Sequence, residues 1–255
     1  MDEVRLERQG LATVLTIDRP AAHNAISRDT MEQLAAAIKE VKASDARVLA
    51  IRGAGNKVFV SGGDLKELSA IRDYDDAVEM ALRMRALLDD IADLPIPVVA
   101  AVNGHAFGGG CETAVACDFR VVVEDARLAF NQIDLAIMPA WGGIERLQAL
   151  IGRARALYLM TTGYPIDAAT ARDWGLVEEV VAREEYDDRL SALLARIAAA
   201  PLAALTGIKA TAVRAEPPTH PDLAPGAAAA FATTWITDAH WSAVERARDQ
   251  RRRDR

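Results

Sequence analysis

The 255-residue sequence contains only two cysteines, and aromatic residues make up 5% of it. Cys111 and Cys117 lie six positions apart with no other thiol, which excludes a disulfide framework and the usual cysteine pattern of a zinc site. We therefore expect a reducing compartment, a cytoplasmic location and no metal. Because aromatic residues are scarce, the core has to consist mainly of alanine, valine, leucine and isoleucine.

Long hydrophobic runs and an excess of positive charge are also missing. No apolar run reaches the ~18 residues that a membrane-spanning helix needs, and the charged N-terminal stretch MDEVRLERQG is unlike a signal peptide. Lys and Arg number 30 against 37 Asp and Glu, for a net charge of −7. We therefore expect neither a membrane nor a nucleic acid as partner.

Strand-like and helix-like segments alternate along the first two thirds of the chain. Such alternation predicts an α/β fold with a mainly parallel sheet, and after about Tyr186 the pattern is helical only. Two tryptophans in this last part, Trp235 and Trp241, predict docking on this chain or on a neighbour. The predicted strands include a hairpin around Gln9-Gly10 and segments at Val48–Arg52, Val58–Val60, Pro97–Val102, Phe119–Val123, Leu128–Phe130 and Ala136–Ile137.

Two glycine-rich turns each precede a predicted helix. One is Gly108-Gly109-Gly110, and the other is Ser61-Gly62-Gly63-Asp64-Leu65. A glycine turn that opens a helix presents free backbone N–H groups at the positive end of the helix dipole, which suits an oxyanion. Glu112 is the ionisable group at the head of the helix that follows the first turn. N–H donors beside one partly buried carboxyl group are the parts of an active site for acyl chemistry.

The order of the motifs resembles the crotonase superfamily, the enoyl-CoA hydratase/isomerases, over nearly the whole chain. The resemblance implies a spiral of β-β-α turns over residues 1–195 and a helical, C-terminal trimerisation region over residues 196–255. It also implies a homotrimer or hexamer, an acyl-CoA thioester as substrate and no permanently bound cofactor. It rests on LTIDRPAAHNAIS, FVSGGDLKEL, AAVNGHAFGGGCE, ACDFRV, the Pro139–Gly143 turn and TTGYPIDAATARDWGLVEEVV.

The same resemblance implies roles for particular residues. Gly63 and Gly109 match the two N–H donors to the thioester oxygen, and Glu112 matches one catalytic glutamate. Lys66 is either part of the groove that binds coenzyme A or a solvated lysine on a helix. Trp141 either shortens the acyl pocket or is a core residue. The positions that match the groove for coenzyme A and the acyl group are Ala22, Val60, Gly62, Asp64, Leu65, Lys66 and Trp141.

The sequence departs from the hydratases at their second glutamate. That residue lies seven positions before the proline of the later turn, and the matching position before Pro139 holds Gln132. An amide cannot titrate, which puts two-carboxylate hydration in doubt but leaves hydration by one carboxyl group open. Asp134 would point to the same side as Gln132 if this segment were extended. Asp134 is then either a displaced catalytic carboxylate or a structural cap of a turn.

Three functions follow from these observations. The first is a lyase of the hydratase type that stabilises a thioester enolate with one catalytic glutamate. The second is a decarboxylase of short malonyl-type esters such as methylmalonyl-CoA or ethylmalonyl-CoA, because ACDFR, Asp134 before Pro139, PxWGG and the terminal TW pattern resemble the ethylmalonyl-CoA decarboxylase branch. The third, a non-catalytic RNA-binding relative, is disfavoured by the acidic composition.

Overall fold

The structure, a computed structural model, describes residues 2–214 and 223–253. Two sheets carry the fold: a larger one with strand order β1-β2-β3-β5-β7-β10 and a smaller one with order β4-β6-β8-β9. The strands are β1 Val4–Gln9, β2 Ala12–Ile17, β3 Val48–Gly53, β4 Val58–Val60, β5 Val98–Val102, β6 His105–Phe107, β7 Phe119–Val123, β8 Arg127–Ala129, β9 Ile166–Asp167 and β10 Glu179–Val181.

Helices follow or connect these strands. The three shortest, α2, α4 and α6, have four to seven residues. The helices are α1 Arg28–Ala43, α2 Leu65–Leu68, α3 Tyr74–Ala92, α4 Gly109–Val115, α5 Gly143–Thr162, α6 Ala168–Asp173, α7 Tyr186–Ala198, α8 Leu202–Arg214, α9 Leu223–Trp235 and α10 Asp238–Arg253.

Consecutive strands are assigned alternately to the two sheets. β3, β5 and β7 belong to the larger sheet, whereas β4, β6 and β8, which directly follow them, belong to the smaller sheet. The neighbours within each of these sets are parallel, and a helix separates each pair of strands from the next. This arrangement confirms the predicted α/β spiral of β-β-α turns.

The hydrophobic pattern explains the central strand. β5 is apolar at every position and entirely buried, as expected of a strand in a parallel sheet whose two faces are both covered. The predicted hairpin is also confirmed, since β1 and β2 pair antiparallel from Val4–Ile17 to Gln9–Ala12. The prediction of a strand at Ala136–Ile137 is wrong: residues 131–135 form a 3₁₀ helix, which ends at Ala136 in a left-handed conformation.

The last two helices pack on this chain's own core. Trp235 is buried, and its indole N–H donates to the carbonyl of Ile71 at 3.0 Å. The Arg72 guanidinium lies 3.5 Å from the centre of the Trp241 ring, and His240 Nδ1 lies 2.6 Å from the carbonyl oxygen of Leu135. Both tryptophans therefore dock within one chain. Of the predicted region 196–255, residues 215–222, 254 and 255 lie outside the described residues.

Among the described residues, no single helix is long and apolar enough to cross a membrane. One bent pair, Arg183–Ala198 with Leu202–Ala212, meets the requirements of length and composition only when its two parts are combined.

Candidate active site

The two glycine turns lie against each other. A β-carbon added at Gly62, where φ is +97°, would lie 3.1 Å from the amide nitrogen of Gly109. One added at Gly110 would lie 1.9 Å from the carbonyl oxygen of Val60, so α4 approaches β4 as closely as the backbone allows. The sequence predicted both turns, and the structure brings them together.

Several amide N–H groups in these turns have no acceptor among the described residues. Two other N–H groups of these turns are engaged: that of Asp64 donates to the Ile26 carbonyl, and that of Gly108 donates to the Ala129 carbonyl. The N–H groups of Gly63 and Gly109 donate to no other described residue, and the same is true of those of Gly62 and Gly110. Gly109 is the first residue of α4, where N–H groups have no intrahelical acceptor. Gly63 and Gly109 are the two residues whose N–H groups the family resemblance assigns to the thioester oxygen.

Glu112 lies one turn into α4 with only 2% of its surface exposed. Its Oε1 accepts the backbone N–H of Trp141 at 2.8 Å and that of Gly143 at 3.0 Å. Its Oε2 accepts the side-chain amide of Gln132 at 2.9 Å. Gly143 is required at its position, because a β-carbon there would lie 2.4 Å from Cγ of Glu112.

Burial and hydrogen bonding act on this carboxyl group in opposite directions. Burial raises the pKa of Glu112, whereas the three hydrogen bonds and the positive charge of Arg146 lower it. Burial dominates, and the pKa of Glu112 is raised from 4.5 to about 7. A carboxyl group with that pKa is present in both protonation states near neutral pH, which suits it to give and take protons.

Gln132 and Asp134 do not share a face, because the segment is a 3₁₀ helix and not an extended strand. Gln132 is buried against Glu112, and its carbonyl oxygen Oε1 has no hydrogen-bond partner among the described residues. Asp134 is exposed and lies near Gly163, at the C-terminal end of α5. Partial burial raises the pKa of Asp134. The idea of Asp134 as a displaced partner of Glu112 therefore loses the geometry on which it rested.

The indole of Trp141 packs against both glycine turns. A β-carbon on Gly109 would lie 2.0 Å from Cζ3 of this ring, and one on Gly63 would lie 3.6 Å from Cζ2. The side chain is buried, with 7% of the residue exposed. Trp141 is thus both a core residue and the wall beside the two free N–H groups.

Sequence reasoning missed the charged groups that support the Trp141–Gly143 turn. Arg146, in the first turn of α5, donates from Nη1 to the Trp141 carbonyl at 3.0 Å and pairs through Nη2 with Asp89 of α3. Arg85, also on α3, pairs with Asp89 and with Glu145. The local signal for Arg146 is only a cation in the first turn of a helix, and its partners come from a segment more than fifty residues away in sequence.

Most of the residues predicted to line the coenzyme A groove lie in or beside the Ser61–Leu65 turn. Val60 and Gly62 are buried, Ala22 and Leu65 are half-buried, and Lys66 is exposed. Asp64 caps α2 by accepting the N–H groups of Lys66 and Glu67. Burial alone would raise the pKa of Asp64, but the Arg19 guanidinium at 2.9 Å holds it below the ordinary value. The visible contacts of Asp64 are therefore structural.

The two thiols are packing groups in the core. Burial raises the pKa of Cys111, and it raises that of Cys117 to about 12, so both are protonated thiols at neutral pH. In the part of the chain that the structure describes, no group of three or more His, Cys, Asp or Glu side chains is placed to hold a metal ion.

Free N–H donors at two glycine turns beside a buried glutamate are the groups that acyl chemistry requires. The model of the enoyl-CoA hydratase/isomerase family matches residues 7–238. The chain belongs to this family and is an enzyme of the enoyl-CoA hydratase type within the crotonase superfamily.

Individual relatives agree with this assignment. The short-chain-enoyl-CoA hydratase of Clostridium acetobutylicum is 37% identical over 187 residues, which cover 72% of this chain and 71% of that protein. The crotonyl-CoA hydratase of Syntrophomonas wolfei is 36% identical over 200 residues, 77% of this chain and 75% of the relative. The crystal structure of an enoyl-CoA hydratase from Bacillus anthracis superimposes with a TM-score of 0.80 at 32% identity and 83% coverage of both chains.

Proposed function

We propose that this protein is an acyl-CoA lyase of the hydratase type in which Glu112 is the only proton-transferring side chain. The single observation that carries the proposal is the pairing of the buried Glu112 carboxylate with the amide of Gln132 at 2.9 Å. The amide occupies the place where the family resemblance implies a second carboxylate. The chemistry at this site therefore has to proceed with one titratable group.

The oxyanion hole consists of the N–H groups of Gly63 and Gly109. They donate to the thioester oxygen of the substrate and stabilise the negative charge that develops on it as the enolate forms. Preorganised donors of this kind are worth a factor of about 10²–10³ each in rate. Their lack of an acceptor among the described residues and the contact between their two turns support this role.

In hydration, Glu112 serves the water and the α-carbon in turn. The anionic carboxylate takes a proton from water as the water oxygen bonds to the β-carbon, and the electron pair of the double bond moves toward the thioester oxygen. The resulting acid then gives its proton to the α-carbon. Gln132 orients the water or the carboxyl group but transfers no proton.

Decarboxylation of a short malonyl-type thioester is the second candidate, and the Gln132 amide also favours it. The bond between the α-carbon and the carboxylate breaks, carbon dioxide leaves, and the electron pair becomes the enolate. Glu112 in its protonated form then protonates the α-carbon. This sequence uses the same oxyanion hole, needs one acid and no base for water, and places no second anion beside the substrate carboxylate.

The substrate is an acyl-CoA thioester, with no permanently bound cofactor. Its coenzyme A part runs over Ala22, Val60, Gly62 and Leu65, with the exposed Lys66 available to a phosphate group. The indole of Trp141 closes the pocket on the acyl side, which favours short acyl groups. A cytoplasmic location and the absence of nucleic-acid and membrane partners remain predictions from composition.

We also propose a homotrimer or a dimer of trimers. α8 is the feature that supports it: on this mainly apolar helix, Leu202 is 41% exposed and Ile208 is 69% exposed. Lys209 fastens this helix to the core through Asp118 at 2.7 Å, so the exposed apolar residues are held in a fixed orientation. A second copy of this chain is the occupant that the family resemblance implies.

Turnover of four CoA esters, followed by mass spectrometry, tests the function. The panel contains crotonyl-, 3-hydroxybutyryl-, methylmalonyl- and ethylmalonyl-CoA, and Glu112→Gln serves as the inactive control. Addition of water to crotonyl-CoA supports the first candidate, whereas loss of carbon dioxide from the branched malonyl esters supports the second. A protein that leaves all four unchanged contradicts both.

A further inference from the structure

Arg146 donates a hydrogen bond to the Trp141–Gly143 turn, and backbone N–H groups of that turn donate to Glu112. Nη1 of Arg146 donates to the carbonyl of Trp141 at 3.0 Å, and the backbone N–H of Trp141 donates to Oε1 of Glu112 at 2.8 Å. The peptide groups of one short turn therefore connect the guanidinium to the carboxylate. The turn itself leaves little space, because a β-carbon on Gly142 would lie 2.2 Å from Nη1 of Arg146.

The guanidinium is itself held from the opposite side. Its second terminal nitrogen pairs with Asp89, which also accepts from Nε of Arg85, and Arg85 in turn pairs with Glu145. These four groups carry two positive and two negative charges and therefore sum to zero. The side chain of Arg146 is 17% exposed. Partly buried pairs of this kind lose much more stability when one partner is removed than exposed pairs do.

We propose that Arg146 is a positioning residue for Glu112, acting through the Trp141–Gly143 turn and not on the substrate. The inference rests on the proposed function of Glu112 as the proton-transferring group. The planar fork of the guanidinium matters because it reaches the Trp141 carbonyl and the Asp89 carboxylate simultaneously, which a single ammonium group does less well.

Arg146 also supplies a positive charge near Glu112. Glu145, also on α5, is paired with Arg85. Arg120 on β7 pairs with Glu178, and Asp134 of the 3₁₀ helix is exposed. Cys111, beside Glu112 on α4, has a raised pKa and stays neutral. The Arg146 charge and the N–H groups of the ordered turn both lower the pKa of Glu112. We therefore expect the pKa of Glu112 to rise when Arg146 is replaced by an uncharged residue.

Three variants separate this role from a general loss of structure. Arg146→Gln removes charge and fork, Arg146→Lys keeps the charge but not the fork, and Arg153→Gln removes the same charge from an exposed position on α5. Two readouts are used: the pH dependence of kcat/KM and the ¹³C NMR titration of labelled glutamate carboxyl groups. Glu112→Gln identifies the Glu112 signal by its absence.

For Arg146→Gln we expect kcat to fall by about 10- to 100-fold, with a smaller change in KM, because a displacement of about 1 Å at a reacting group costs a factor near 10². Its Glu112 signal should titrate at higher pH than in the wild type. In Arg146→Lys the Glu112 signal should titrate near the wild-type pH, but kcat should still be lower than in the wild type. Arg153→Gln should match the wild type in both readouts.

An unchanged titration in Arg146→Gln, or equal effects of Arg146→Gln and Arg153→Gln, would overturn the proposal. If Arg146→Gln does not fold, Arg146→Lys carries the test, and a wild-type kcat in that variant counts against the role of the fork. The NMR titration needs no substrate. A wild type that turns over no CoA ester therefore refutes the proposed function separately, while the coupling of Arg146 to Glu112 is still tested.

Discussion

The indole of Trp141 lies so close to Gly109 that a β-carbon on Gly109 would be 2.0 Å from Cζ3 of the ring. The first prediction concerns Gly109→Ala, in which either the ring or the turn has to move. We expect kcat to fall by about 10²-fold, since the Gly109 N–H is displaced from the thioester oxygen. The measurement is steady-state turnover of the ester that the wild type uses.

Two further variants control that experiment. Gly226→Ala adds the same methyl group at an exposed position on α9 where no atom lies within 4 Å, and its activity should equal that of the wild type. Gly109→Ala combined with Trp141→Leu should regain part of the lost rate, because the smaller side chain leaves room for the methyl group. A double variant no more active than Gly109→Ala would mean that the clash is not the cause.

The pH dependence of kcat/KM distinguishes the two candidate reactions, because they need opposite forms of Glu112. Hydration begins with the anion, so its rate should rise as pH increases through about 7, the raised pKa of Glu112. Decarboxylation ends with proton donation from the acid, so its rate should fall through the same range. A rate independent of pH between 6 and 8 would contradict Glu112 as the proton-transferring group in either reaction.

Gln132→Glu should affect the two activities in opposite directions. The new carboxyl group would lie within hydrogen-bond distance of Glu112, and such a pair shares one proton and titrates as a unit. One acid beside one base is what hydration needs, and we expect crotonyl-CoA hydration to increase by about 10²-fold or more.

In the same variant, loss of carbon dioxide from malonyl-type esters should decrease, because the added negative charge repels the substrate carboxylate. Gln132→Met removes the amide at similar volume without adding charge and is the matched control. If Gln132→Glu and Gln132→Met change both activities in the same direction, the amide has no part in choosing the reaction.

Glu112 should also make the stability of the fold depend on pH. Its carboxyl group keeps its proton up to about pH 7 when folded, whereas in the unfolded chain it loses the proton near the ordinary value of 4.5. Stability from this group is therefore fully present below about pH 4.5 and is lost as pH rises through 7. The loss amounts to about 3 kcal/mol in the free energy of unfolding.

Urea unfolding of the wild type and of Glu112→Gln at several pH values measures this effect. Between pH 5 and pH 8 the variant should become more stable relative to the wild type, because an amide cannot ionise. The glutamine can still accept the Trp141 and Gly143 N–H groups, and after the Gln132 amide turns over it can donate to Oε1 of Gln132, which has no partner among the described residues. Parallel pH dependences for the two proteins would show that burial does not raise the pKa of Glu112.

The proposed oligomer is tested on α8. Ile208→Glu places a charge on the most exposed of its large apolar side chains and should lower the molar mass measured by light scattering. Ala36→Glu, at an exposed position on α1, adds the same charge elsewhere and should leave the mass unchanged. An Ile208→Glu protein with the wild-type mass places the contact between copies on another surface.

The local sequence pattern was sufficient to predict the glycine turns and Glu112, but not the short strands or the 3₁₀ helix. The glycine turns and Glu112 were predictable because each lies within a few residues of an apolar strand and a helix. β6 and β9 have three and two residues, too few to show any periodicity. The 3₁₀ helix at 131–135 ends on Ala136 at φ +55°, a conformation that alanine does not signal.

The residues that support the site come from segments that are far apart in the sequence. Arg146 acquires its role only when α3 brings Asp89 and Arg85 alongside the first turn of α5, a contact that no local pattern encodes. For the same reason the sequence left open whether Trp235 and Trp241 dock on this chain or on a neighbour. The partner of Trp235, Ile71, lies 164 positions earlier.

The contact between Gly110 and the Val60 carbonyl also bears on how this pocket can evolve. The proposed donors belong to backbone that is already at its closest approach, and their residues carry no side chain that mutation can lengthen, shorten or reshape. Divergence toward larger acyl groups therefore has to proceed through the neighbouring side chains, and Trp141 is the large one in contact with both turns. We therefore expect a substitution at position 141 to alter the choice of substrate while the proposed donors stay in place.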